Sequence, residues 1–368
     1  MGRDINHPGA AGGDIQAWEW ARYVVSQGHS VTYICSSYHG LKGEEEIAGV
    51  RVLRLGTGGL LPWHAFRFYR RHRHEFDAVY EDAIGGSRLP YLARLYVSQP
   101  IIAAWHQVNR ELFYDLFPKP LAFTMSLAEK MLAKLYRDVD IRAPSEQCRM
   151  ALHKELGLPL EHIHVIPASI PGEWVMEPFP RLKRNPLILC LGIMRPYKGF
   201  HMALQALPRV LSQCKDAHLV IAGRRFDPGY EQALRKLAAD LGVTQQTEFK
   251  LDITEEEKKE LIKRSKVLVL PSRLEGFGIV VLEANAYGVP VVASSGVPED
   301  AVQQGYNGLR YPFEDVSALA DSIIQILTDD EVYARLSANG LAFARQFAWR
   351  KVGAQYEELL KLVINNRR

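Results

Sequence analysis

The chain has 368 residues, 47% of them hydrophobic and 24% charged. This is the composition of an ordinary globular protein; it excludes disordered and fibrous chains, and the length suits two domains that each bury a core. A net charge of +3 supplies no global field that calls for nucleic acid.

Cys35, Cys148, Cys190 and Cys214 are widely spaced, with no Cys-x-x-Cys pair and no histidine cluster. That pattern points to reduced thiols, a cytoplasmic setting and no structural zinc. No apolar run has the length of a membrane span, and no charged-then-apolar leader opens the chain.

The chain opens on a polar stretch and reaches Gly12-Gly13. Ile15, Trp18, Ala21 and Val25 then recur near helical spacing, and Gly28 can end that helix. A Gly-Gly pair opening a helix normally follows a strand, and that strand is expected but not seen, as though the start were truncated. Val31–Cys35 reads as a buried strand, with further strands near 50–55, 77–81, 100–105 and 163–167. Residues 60–76 set Trp63, Phe66 and Tyr69 at helical spacing among Arg67, Arg70, Arg71 and Arg73. Residues 107–137 read as long, helical and aromatic. Residues 168–186 hold four prolines and no periodicity, so the domain linker is expected there.

The second half restarts the alternation. Strands are predicted at 187–192, 218–222, 247–249, 267–270, 290–293 and 308–311. Helices are predicted at 199–212, 229–241, 254–264, 278–287 and 317–327. Strands alternating with helices indicate parallel sheets covered on both faces, hence two Rossmann-like domains with ligands at the carboxyl ends of the strands.

The most informative stretch runs from Pro271 to Val292. A buried strand ends at Pro271, and a loop carries Glu275, Gly276, Phe277 and Gly278. A helix then begins near Gly278, with Ile279 in its first turn, and bears Glu283 on its second. First-turn amides at such a helix start can hold a diphosphate or sugar hydroxyls, and the glycines admit close approach to the backbone. A second element, Leu191-Gly192-Ile-Met-Arg195-Pro-Tyr-Lys198-Gly199, follows a strand and opens a helix. Its cations suit a leaving nucleoside diphosphate, on which charge develops as the bond breaks.

Together, the Glu275-x7-Glu283 pair, its Glu-Gly-Phe-Gly and Leu-Glu-Ala surroundings, and the Lys198-Gly199 step resemble the retaining GT-B glycosyltransferases of family 4. The resemblance covers nearly the whole chain and is looser in the first half. It implies an acceptor domain at 1–170, a nucleotide-sugar domain at 171–346 and a last helix, 347–368, that crosses back to the first domain. It implies that Glu275 lies beside the donor sugar and that Glu283 accepts from ribose hydroxyls. It also implies same-face transfer with retention, the leaving phosphate helping to take the acceptor proton. The family commonly carries arginine directly after the first glycine, where this chain has Ile193. Lys198 therefore carries over, while Arg195 either reaches the phosphate from a neighbouring position or is solvated at the surface. Glu299, in a Gly296-Val-Pro-Glu step, reads as structural.

In the first half, Gly12 and Gly13 resemble the glycine-rich loop that approaches donor phosphate and acceptor; the alternative is a tight turn alone. His106 ends the strand 100–105, either facing the sugar or packed as a side chain. Glu81 and Asp82 end another strand and are weaker acceptor candidates. The basic aromatic segment 60–76 reads either as a solvated helix packed by its aromatics or as a surface for an anionic membrane. No nucleic-acid motif accompanies it.

The expected activity is transfer of a sugar from a UDP- or GDP-linked donor to a saccharide, lipid-linked or small-molecule acceptor. No cofactor is expected beyond that co-substrate. With no Asp-x-Asp at a strand end, no required metal is expected. The alternatives are a non-catalytic nucleotide-sugar-binding or partner subunit, a sugar-nucleotide epimerase of the same fold, and a membrane-interaction protein whose phosphate site has lapsed. A phosphorylase ranks lower, since no pyridoxal-phosphate lysine motif is recognisable.

Overall fold

The structure is a computed structural model that describes residues 3–7, 10, 12–56, 58–84, 90–170, 174 and 186–365. It forms two compact units, Met1–Gly172 with Ala348–Arg368, and Glu173–Phe347. Most of the linker expected over 168–186 lies outside the described residues. No strand precedes the first helix among the described residues.

The first unit runs α1 (Gly12–Ser26), β1 (Thr32–Cys35), β2 (Glu44–Ile47), β3 (Val50–Arg54), α2 (Leu61–His72), β4 (Val79–Ile84) and β5 (Ile101–Trp105). It continues through α3 (Arg110–Leu116), α4 (Lys119–Leu135), β6 (Asp140–Ala143), α5 (Glu146–Leu156) and β7 (Ile163–Val165). Its strands fall into two sheets. One has the order β1-β3-β2, with β1 parallel and β2 antiparallel to β3. The other has the order β4-β5-β6-β7 and is parallel throughout.

The helix expected over 107–137 is two helices. Phe117 is extended (ψ 154°) because the residue before a proline is driven out of the helical region, and α4 restarts after Pro118. Besides β2, whose Glu44, Glu45 and Glu46 make no apolar run, three elements escaped the sequence reading. In β6, Asp140 and Arg142 break the apolar run, yet Arg142 is fully buried and donates to the Ile166 carbonyl at 2.7 Å. Helix α5 carries ordinary boundary signals: Ser145 accepts from the Cys148 amide, and Gly157 ends it at φ 73°. The third is α11, in the second unit.

That unit runs β8 (Leu187–Ile193), α6 (Phe200–Gln213), β9 (His218–Arg224), α7 (Pro228–Asp240), β10 (Thr247–Leu251), α8 (Glu255–Arg264) and β11 (Val267–Leu270). It ends with α9 (Ile279–Ala286), β12 (Val291–Ser294), β13 (Gly308–Tyr311), α10 (Val316–Thr328) and α11 (Asp330–Ala344). All six strands are parallel, in the order β10-β9-β8-β11-β12-β13. The strand order reverses between β8 and β11, which is where such sheets bind ligands beyond their carboxyl ends. Ile188, Cys190, Val267, Val269 and Val292 fill the centre of the core.

The last helix, α12 (Trp349–Asn365), belongs to the first unit and lies on α1. Gly353 makes the approach possible: a Cβ there would stand 2.3 Å from Tyr23 Cγ. Tyr356 meets Trp20 at 5.4 Å between ring centres. Two Rossmann-like units, with a final helix returning to the first, are the GT-B architecture the sequence predicts.

Glu81 in β4 is buried, and the Tyr136 hydroxyl donates to Oε2 at 2.6 Å. Burial raises its pKa from 4.5 to about 7, with hydrogen bonds from Tyr136 and from the Ala93, Tyr91 and Leu92 backbone opposing. A carboxyl whose folded pKa exceeds its unfolded value loses nothing at low pH and weakens the fold as pH rises through that window. Glu81→Gln should therefore flatten the dependence of the urea midpoint between about pH 4.5 and about pH 7, and raise the midpoint above it. A profile parallel to that of the unsubstituted protein would show that Glu81 ionises normally.

Candidate active site

The loops after β8 and β11 carry the charged groups of the second unit. Lys198 Nζ donates to Glu275 Oε1 at 2.5 Å, and the Ser272 hydroxyl donates to the same oxygen at 2.6 Å. Both members of the pair are largely buried, with side-chain exposures of 14% and 12%. Burial pushes the Lys198 ammonium down, but the Glu275 carboxylate outweighs it and holds Lys198 above its ordinary value.

The pairing follows from backbone geometry. Gly199 sits at φ 69°, and a Cβ there would stand 2.0 Å from the Pro271 carbonyl oxygen. The Arg273 amide donates to the Tyr197 carbonyl at 2.8 Å, which ties the two loops together. From the other side, the Glu275 amide donates to the Gly296 carbonyl at 3.0 Å. A Cβ on Gly296 would stand 2.1 Å from the Arg273 oxygen. Gly192 is hemmed by Gly223, whose own Cβ would stand 1.9 Å from the Gly192 oxygen. These glycines are sites of close backbone approach, the role that only glycine fills without strain.

Helix α9 begins after Gly278, which is left-handed at φ 93°. Geometry leaves the earliest amides of α9 without intrahelical acceptors, while the Val281 amide donates to the Gly278 carbonyl at 2.9 Å, and the Ile279 side chain is only part-buried. Phe277 is buried against Phe347, with ring centres 5.6 Å apart, so Phe277 offers a ligand only backbone. Glu283 is buried on α9 and accepts from Lys258 Nζ at 2.8 Å through Oε1. Lys258 also pairs with Glu255 at 2.7 Å. Burial lowers Lys258, and the two carboxylates more than offset it, so its net shift is upward. Arg195 Cζ lies over Phe226, 3.7 Å from the ring centre, and Arg195 Nε has no hydrogen-bond partner among the described residues.

In the first unit, Gly13 faces His106: a Cβ on Gly13 would meet His106 Nε2 at 3.5 Å, an ordinary contact. Gly12 opens α1 beside it. The loop after His106 is fixed by Glu129 of α4, which accepts from the Asn109 amide and, at 2.8 Å, from Asn109 Nδ2. Burial raises Glu129, with those bonds opposing. Glu81 lies buried beside Tyr136, which removes it from the acceptor candidates; the side chain of Asp82 lies outside the described residues.

Two family models match the chain, Glycosyl transferases group 1 over residues 176–343 and Glycosyltransferase Family 4 over residues 10–172. The chain belongs to glycosyltransferase family 4. This family-4 chain is a retaining glycosyltransferase that takes its sugar from a nucleotide-sugar donor. It is 28% identical to the GDP-mannose-dependent alpha-(1-6)-phosphatidylinositol monomannoside mannosyltransferase of Mycolicibacterium smegmatis, over 90% of each chain. It is 31% identical to the D-inositol 3-phosphate glycosyltransferase of Corynebacterium urealyticum, over 46% of this chain and 42% of that one. Its fold matches sucrose-phosphate synthase from Thermosynechococcus elongatus, with TM-score 0.82 at 19% identity over 99% and 96% of the two chains. It also matches Anabaena HepE in complex with UDP and glucose, with TM-score 0.76 at 17% identity over 98% of each.

Within this glycosyltransferase, motif reasoning overlooked Lys258, Ser272, Gly296 and Glu129. Lys258 and Gly296 each touch a motif residue from an element distant in sequence, while Ser272 lies inside the motif stretch, three residues before Glu275. Only Gly296 left a trace, in the Gly-Val-Pro-Glu step.

Gly199→Ala should cost on the order of 1–3 kcal/mol, since it adds left-handed strain to a backbone clash. It should also weaken nucleotide binding by displacing Lys198. Thermal denaturation and nucleotide titration measure both; an unchanged melting temperature would mean that the Pro271 loop yields freely.

Proposed function

We propose that this glycosyltransferase moves a mannosyl residue from GDP-mannose to the headgroup of a membrane lipid. The Lys198–Glu275 pair at the β8/β11 switch point carries the donor half of this reading. An ammonium held protonated by a carboxylate is ready to exchange partners when a diphosphate arrives. Lys198 then meets the leaving phosphate, and Glu275, released, accepts from donor-sugar hydroxyls. First-turn amides of α9 add dipole stabilisation. Glu283 retains a second oxygen for the ribose diol while Lys258 fixes its orientation. Arg195, carried on Phe226, is a further cation for the diphosphate. Together these charges let the reaction proceed without a required divalent metal.

The acceptor oxygen bonds to the anomeric carbon on the face from which the phosphate departs. The C–O bond to phosphate breaks, and the acceptor proton passes to the leaving phosphate oxygen. His106, beside Gly13, is the first-unit group assigned to the sugar. The relatives named for GDP-mannose support the choice of donor.

The membrane half rests on the surface of the first unit. Among the described residues, no helix is long and apolar enough to cross a membrane. Helix α2 exposes Trp63, Arg67, Arg70 and Arg71, while Tyr69 turns inward. Helix α4 exposes Phe123, Leu127 and Met131, which recur every fourth residue along one face. Exposed apolar side chains on one helix and clustered arginines with Trp63 on another are the residue types that suit an anionic bilayer surface.

Lys198→Ala should reduce kcat by about a hundredfold, the usual loss for one such electrostatic contact. Glu283→Ala should abolish thermal stabilisation by GDP with the variant still folded. Both are checked with GDP-mannose, a lipid acceptor and a chelator present. Unaltered kinetics in both variants would remove these roles, and donor turnover without acceptor would point to an epimerase.

Arg70→Glu with Arg71→Glu should weaken co-sedimentation with anionic vesicles by tenfold or more, at about 1 kcal/mol per basic residue near the surface. Equal binding to anionic and neutral vesicles would count against the membrane reading.

A further inference from the structure

Lys258 has two carboxylates within reach, Glu283 Oε1 at 2.8 Å and Glu255 Oε2 at 2.7 Å. Glu283 is buried, whereas the Glu255 side chain is 59% exposed. A lysine stem is flexible and its ammonium strongly hydrated, so the ion pair alone does not fix where the ammonium stands. Hydroxyls that bond to Glu283 share its charge and loosen its hold on Lys258. An ammonium that then swung toward Glu255 and water would leave a buried carboxylate without its counter-charge, a costly state.

Trp174 supplies a second hold. It is the second residue of the second unit and is buried. Its ring lies 5.3 Å from Lys258 Nζ and 5.5 Å from Lys259 Nζ. Both distances fall within the roughly 6 Å over which an aromatic face attracts a cation, and indole is the strongest such face. The attraction grows where water is excluded, and the Lys258 side chain is only 15% exposed. The ring also meets Tyr287, with centres 5.3 Å apart. Tyr287 follows Glu283 by four residues, so it stands on the same side of α9, one turn on. Trp174 thus spans α8, which brings the lysine, and α9, which brings the carboxylate. A leucine could fill the space beside Tyr287, but it could not attract an ammonium.

We propose that Trp174 is a positioning residue for the donor: its indole face keeps Lys258 on Glu283 while the second carboxylate oxygen takes the ribose diol. This role rests on the assignment of Glu283 to the ribose hydroxyls. Trp174 acts through Lys258, and it sets how strongly the site distinguishes a ribose from a sugar without those hydroxyls.

Titration calorimetry tests this with GDP and UDP, each paired with the dideoxy form that lacks both ribose hydroxyls. Using both bases keeps the choice of base from deciding the outcome. The unsubstituted protein should prefer the ribose form by about tenfold or more, the usual worth of hydrogen bonds to a charged group. Trp174→Leu keeps apolar bulk and removes the aromatic face. It should cut that preference by about threefold or more, the worth of a partly desolvated cation–π contact. Affinity for the dideoxy form should stay largely as it was, and donor KM should rise more than kcat falls. Trp174→Phe, which keeps a face, should restore most of the preference. Lys258→Met removes the same contact from the lysine side and should lower the preference likewise, so it decides the matter if melting curves show that Trp174→Leu is unfolded. An undiminished preference in either variant would overturn the role of Trp174. Equal losses for the ribose and dideoxy forms in Trp174→Leu would overturn it too, since they mark plain packing. Equal binding of the two forms by the unsubstituted protein would instead remove the ribose assignment of Glu283, and the role of Trp174 with it.

Discussion

The close passage of backbone at Gly199 and Gly296 is the constraint on which the second unit's chemistry depends. Gly199 lets the loop after β8 touch the Pro271 carbonyl, and Gly296 lets the loop after β12 slide beneath Arg273. The Glu275 loop is pressed between them. Ser272 and Lys198 can then both reach the same carboxylate oxygen. The side chains that define the motif are thus positioned by residues with no side chain at all.

The ion pair formed in this way is costly to desolvate, and such pairs give little net stability on their own. Its value is readiness. Both charges are already stripped of most water, and each waits against a partner that a ligand can replace. Glu283 and Lys258 repeat the arrangement on α9 and α8, with Trp174 near the Lys258 ammonium at 5.3 Å. Two carboxylates eight residues apart are each neutralised by a lysine from another element, so an ordinary spacing becomes a stable constellation.

The second unit was legible because local and global signals agree there. Its central strands are apolar runs, helices α7, α8, α10 and α11 carry side-chain caps, and the Glu275–Glu283 phrase sits on the strand-to-helix turn that such chemistry needs. The first unit was harder. Strand β6 hides a charged residue in the core, so its apolar pattern fails at Arg142. The Pro118 break is written in the sequence but was subsumed in a longer aromatic stretch. The Asn109–Glu129 contact spans a loop and a helix, and no spacing announces it. Glu81 stood at a strand end as a candidate for substrate, whereas its burial against Tyr136 depends on α4, beyond the reach of a local reading.

The placement of α12 has a consequence for how the molecule comes into being. The second unit is one uninterrupted stretch, while the first is built from both ends of the sequence. Trp20 and Tyr23 of α1 rest against Tyr356 and Gly353. During synthesis on the ribosome, residues of the first unit emerge earliest, yet α1 keeps an apolar face open until the final helix leaves the exit tunnel. The second unit can finish folding meanwhile. The half of the molecule made first is completed last, and a nascent chain stalled anywhere before Trp349 would present that uncovered face to chaperones.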